Sequence, residues 1–91
     1  MTQDDLTATL HRHLANFTPR QRLQAAQLIA DERITAAERA ATFLVWQNRD
    51  GEWTAVYITT ADTCTCPAGQ HGTRCYHRAA AIALNTTRRA A

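Results

Sequence analysis

Cys64-Thr65-Cys66-Pro67-Ala68-Gly69-Gln70-His71-Gly72-Thr73-Arg74-Cys75-Tyr76-His77 holds every cysteine of the 91-residue chain and ends on a histidine. The spacing is C-x-C-x8-C-x-H. Three thiolates and one imidazole are a common set for a structural zinc ion, which takes four ligands in a tetrahedron. Residues two apart on an extended segment share a face, so Cys64 and Cys66 can reach one ion from a strand end. Pro67 keeps Cys66 out of helix, and Gly69 and Gly72 let the chain turn back at low steric cost. Cys75 and His77 cannot face one another within a regular helix. The spacing therefore predicts Cys75 just before a helix and His77 in its first turn, where a helix N-terminus favours a thiolate. A disulfide would leave one cysteine over, and buried free thiols would not cluster beside a histidine. His71 is a loop residue in this reading, the weaker competitor of His77 for the fourth position.

The motif resembles the SWIM-type zinc finger: C-x-C, a variable gap, then C-x-H. Cys64, Cys66, Cys75 and His77 match its ligand positions. The resemblance extends upstream to a hairpin-like stretch, Thr42 to Thr60, and downstream to an alanine-rich helix from Tyr76 to about Asn85. It implies a ββα zinc module that binds DNA or other proteins. The gap of eight is short and leaves little room for an elaborated recognition loop.

Further out, Thr42–Gln47 and Glu52–Thr60 read as strands, rich in β-branched and aromatic residues, joined by a turn at Asn48-Arg49-Asp50-Gly51. Two registers are open. One sets Trp46 opposite Trp53, the other sets Trp46 opposite Ala55. Either way one face is read as Leu44, Trp46, Trp53, Ala55 and Tyr57, the other as Phe43, Val45, Val56 and Ile58. Two apolar faces predict a sheet sandwiched between the last helix and the N-terminal helices. Base stacking on Trp46, Trp53 or Tyr57 requires those helices to leave one face open.

Residues 3–16 read as an amphipathic helix with Leu6, Leu10 and Leu14 on one stripe, flanked by solvated His11, Arg12 and His13. Thr18-Pro19-Arg20-Gln21 is a strong helix start: a capping threonine, proline at the first position and glutamine at the third. That helix is expected to run to about Asp31. Thr35-Ala36-Ala37-Glu38 repeats the capping pattern, so either a third short helix starts there or the second continues to about Ala40. The fold class is α+β: two or three N-terminal helices (1–41) on a ββα zinc-finger module (42–85). A frayed tail follows (86–91), and the whole forms one folding unit. A core of this size is marginal alone, and a metal staple is a usual remedy.

Charge divides unevenly. Residues 1–62 carry six arginines and eight acids, residues 63–91 four arginines and no acid, and lysine is absent. The basic end offers Arg74, Arg78, Arg88 and Arg89, with His71 in the zinc loop, to nucleic-acid phosphates. DNA ranks ahead of RNA as partner. The other class is a protein partner: a compact adaptor or small regulator, of a kind that suits phages and mobile elements, docking on a larger protein through its apolar stripes. Catalysis is not expected. A catalytic zinc needs an open position, and no acid follows Asp62 to serve as proton carrier beside the metal. No apolar run is long enough to span a membrane, the polar, acidic start is unlike a signal peptide, and reduced cysteines fit the cytoplasm.

Overall fold

The computed structural model describes Arg12 and residues 14–90, with side chains as far as Thr86. The expected helix over 3–16, with His11 and His13, falls almost wholly outside the described residues.

Helix α1 spans Pro19–Ala30 and begins as its sequence dictates. The Gln21 backbone N–H donates to Thr18 Oγ1 (3.1 Å), and the Thr18 N–H donates back to Gln21 Oε1 (2.9 Å). Two of the backbone donors that a helix start leaves orphaned are thereby satisfied. The other end departs from expectation. The helix neither continues to Ala40 nor restarts at Thr35. Glu32 adopts a left-handed conformation, φ 56°. Its N–H donates to the Ile29 carbonyl and that of Arg33 to the Leu28 carbonyl. This pair of bonds is the Schellman closure that glycine usually makes. The chain then enters strand β1, Ile34–Ala36. The reason lies in a distant partner: Ile34 pairs with Val45 and Ala36 with Phe43, and Ile34 is buried.

Strands β2 (Phe43–Arg49) and β3 (Glu52–Thr59) complete an antiparallel meander in the order β1-β2-β3. The hairpin turns on Asp50 and Gly51, both at positive φ, as a two-residue turn of this hand requires. Trp46 lies opposite Ala55, one of the two registers open from sequence. The expected faces are only half right. The ladder shifts between Val45 and Trp46, where Tyr57 pairs with Val45 and Ala55 with Trp46, so Val56 is an extra residue without an opposite number. A bulge of this kind reverses the alternation beyond it. Tyr57 therefore joins Phe43 and Val45, and Ile58 joins Leu44 and Trp46.

The short helix α2 spans Pro67–Gln70, and helix α3 spans Tyr76–Ala90, five residues past the expected end near Asn85. Helices α1 and α3 pack on each other. Their buried Ala25, Leu28, Ala79, Ala80 and Ala81 join Phe17, Ile34, Phe43 and Val45 in one core. Ala79, Ala80 and Ala81 are almost fully enclosed, so the helix backbone comes close to its neighbours there. The expected sandwich is thus corrected to two layers. Both helices cover the Phe43–Val45 face, and among the described residues nothing covers the other. Trp53 and Ile58 on that open face are 52% and 51% exposed. The Trp46 indole N–H donates to Thr35 Oγ1 at 2.8 Å.

Candidate metal centre

Each member of the cysteine–histidine quartet is placed by a local rule. Cys64 follows β3 and bridges back to Thr59 in antiparallel fashion, with Thr65 N–H donating to the Ile58 carbonyl at 3.1 Å. Cys66 is extended (φ −65°, ψ 164°) and caps α2, which opens on Pro67, a residue suited to a first helical position. Its Sγ accepts from the Gly69 N–H at 3.3 Å. Cys75 immediately precedes α3, and His77 is that helix's second residue, as the C-x-H spacing predicts. The four side chains are buried, and their ligating atoms all lie within 4.8 Å of one another.

The donor set fits zinc in geometry as well as in chemistry. Tetrahedral bonds near 2.3 Å to sulfur and 2.05 Å to nitrogen put sulfur and nitrogen about 3.6 Å apart. Cys64 Sγ and His77 Nδ1 are 3.6 Å apart. Burial pushes the Cys64 thiol up and the Cys75 thiol up to about 12. Cys66 also feels burial, but hydrogen bonding, led by the Gly69 N–H, outweighs it and leaves that thiol below its ordinary value. Burial, and then the nearby positive charge of Arg33, lower the pKa of His77. Such a site favours neutral imidazole, the form that binds metal. A divalent ion bound here supplies the positive charge that stabilises the buried thiolates. Tyr57 and Tyr76 flank the imidazole, with ring centroids 5.2 and 4.3 Å from it. The Val56 bulge is what turns Tyr57 inward to this position.

Of the other predicted contacts, the structure brings Arg74 and Arg78 to one groove and leaves His71 outside it. His71 is exposed at the end of α2 and stands apart from the quartet. Arg74 is exposed, and its carbonyl accepts from Gln21 Nε2 at 3.1 Å, which fastens the zinc loop to the start of α1. Arg78 is half-buried, its Nε donating to the Ala61 carbonyl at 3.1 Å. Arg88 and Arg89 lie on α3, and their side chains fall outside the described ones. Arg33 was missed by sequence reasoning. It precedes β1, outside the motif, and only the fold brings it beside His77.

A closed Cys3His quartet between a β-ribbon and a helix defines a small module built on one structural zinc ion. Residues 53–84 match the SWIM zinc finger family, and the chain carries a zinc finger of that type. The match takes in β3, both zinc knuckles and most of α3, while α1, β1 and β2 lie outside it. No curated protein and no solved structure matches the chain. A SWIM zinc finger is a binding module. No described helix is long and apolar enough to cross a membrane.

Proposed function

We propose that Cys64, Cys66, Cys75 and His77 ligate the zinc ion directly and that the module binds nucleic acid, DNA ahead of RNA, through its basic C-terminal half. One observation carries this reading. Arg74 and Arg78 line a single polar groove beside the metal centre, with Asn16, Gln21, Gly72 and Thr73. Asp62 is its only acid among the described residues, and no acid follows it in the chain. Two guanidinium groups in one groove suit successive phosphates, and arginine forks match phosphate oxygens. Arg88, Arg89 and His71 extend the basic surface in this proposal. Three thiolates and one Zn²⁺ sum to −1, so the half-chain keeps about +3 of its four arginine charges. Affinity should therefore be modest and fall steeply with salt. The cytoplasm, where thiols stay reduced, is the compartment that suits the centre.

The test is titration of a labelled duplex and a labelled single strand at low and physiological salt. The chain is compared with the quadruple variant Arg74→Ala, Arg78→Ala, Arg88→Ala, Arg89→Ala. Binding at low salt that the variant loses supports the proposal, and absence of binding to either strand form at low salt refutes it. A second reading, a protein-docking adaptor, is favoured by the open sheet face with exposed Trp53 and Ile58. It predicts a partner in pull-downs that survives both nuclease treatment and the arginine variant.

A further inference from the structure

Next to the metal centre, sharing Gln21 and Arg74 with the polar groove, lies a cleft of about 390 Å³ between α1, the sheet and the zinc loop. Its volume falls within the roughly 300–1,000 Å³ of small-ligand sites. The lining is unusual in its chemistry. Gln24 and Gln47 face it with amides that both donate and accept. Tyr57 and Tyr76 supply aromatic walls, Arg33 and Arg74 supply charge, and Cys66, Cys75 and His77 form the wall on the metal side. No carboxylate lines it among the described residues. Arg33 is half-buried, with Nε committed to the Trp46 carbonyl at 3.2 Å, and it pairs with no carboxylate among the described residues.

We propose that this cleft receives one unpaired base of a bound strand, with its phosphate held at the mouth by Arg74. The inference rests on the nucleic-acid reading and narrows it to single-stranded or locally opened nucleic acid. Charge alone does not choose the occupant, because Arg33 and Arg74 more than offset the net −1 of the zinc-loaded quartet. Hydrogen bonding and shape do. Base edges carry mixed donors and acceptors, which glutamine amides match, whereas a carboxylate would use only their donors. Aromatic walls accept the flat ring. Arg74 is exposed and lines both the cleft and the groove that holds Arg78. A strand whose phosphates lie along Arg74 and Arg78 can thus leave a base in the cleft. The Val56 bulge has a purpose in this arrangement, since it turns Tyr57 towards the cleft.

The experiment uses the zinc-loaded full chain and amide chemical shifts, titrated with nucleoside 5′-monophosphates, with inorganic phosphate and with a hexaglutamate peptide. Nucleotides should saturably shift the amides of Gln24, Gln47 and Tyr57, while phosphate moves only the surroundings of Arg74. Gln24→Leu with Gln47→Leu should weaken nucleotide binding about tenfold through lost base-edge hydrogen bonds and leave the phosphate response unchanged. Gln24→Leu alone, at an exposed position, serves if the double variant loses its fold. Equal cleft shifts from phosphate or from the peptide would overturn the proposal, and so would nucleotides that leave the cleft signals unmoved. Strand binding without nucleotide entry would retire the cleft and keep the groove. Nucleotide entry without strand binding would retire the groove and keep the cleft.

Discussion

Gly69 is the position where one added carbon should undo the metal centre. A Cβ built there would lie 2.1 Å from the Cys64 carbonyl oxygen, 2.7 Å from the Cys64 carbonyl carbon and 2.9 Å from the Cys64 Cβ. These are largely backbone atoms, so no flexible side chain can swing aside. Restoring even a 3.0 Å contact requires about 0.9 Å of movement between the 67–70 turn and Cys64. Zinc–ligand distances tolerate roughly 0.2 Å. The Gly69 N–H that donates to Cys66 Sγ moves with the turn, so the disturbance reaches two sulfurs at once. Losses of 10–100-fold follow from disturbing outer partners of a metal ligand alone. Gly69→Ala should therefore weaken zinc binding by about 100-fold or more, which is about 2.7 kcal/mol. The assay is competition against a chromophoric zinc chelator at fixed pH. Gly72→Ala is the control. Gly72 has φ +72° with open space around its missing Cβ, so alanine there costs about 1–2 kcal/mol of backbone strain while zinc affinity holds. A Gly69→Ala protein that holds zinc as tightly as the unmodified chain would show that the close approach of the 67–70 turn to Cys64 does not set the metal geometry.

Other outcomes follow from the same structure. Stripping the ion with EDTA should abolish cooperative melting of the finger, because zinc contributes about 10–16 kcal/mol in finger peptides against a domain stability of about 5–15 kcal/mol; an unchanged calorimetric transition would contradict this. Zinc affinity should fall with falling pH. Cys64 and Cys75, both raised by burial, bind protons at neutral pH that the metal must displace. Each displaced proton changes affinity about tenfold per pH unit, measurable as proton release in two buffers. His77, whose pKa is lowered, adds in the same direction. Below its ordinary value of 6.5 the unfolded chain takes a proton that the fold resists, so stability is lost as pH drops through that value. Phe43→Ala should cost about 3–5 kcal/mol in urea unfolding of the zinc-loaded chain, since Phe43 is buried in the shared core, and Trp53→Ala on the open face far less. Thr18→Ala should remove about 1 kcal/mol by breaking the capping box, and an unshifted urea midpoint would contradict that role.

The parts legible in sequence were those governed by near neighbours. The zinc quartet spans 14 residues, and its members take their places from proline, glycine and the helix start beside them. The start of α1 was equally plain, because Thr18, Pro19 and Gln21 act within one turn. Illegible parts have distant causes. Glu32 ends α1 in a conformation usually left to glycine, and no residue around it announces the break. Ile34–Ala36 is a strand only because β2 is there to pair with it. The Val56 bulge leaves no trace in the alternation of β3, yet it decides which way Tyr57 faces. Arg33 became part of the site through this same chain of events.

The metal chemistry, the hairpin and the start of α1 were readable along the chain, since each depends on residues a few positions apart, and the charge division was a matter of composition. Packing alone set both helices on one face of the sheet, left the opposite face open among the described residues, and gathered Arg33, Gln24 and Gln47 around a cleft beside the zinc quartet. Those placements follow from which segments pack against one another, and packing partners separated by tens of residues carry no mark in the local pattern.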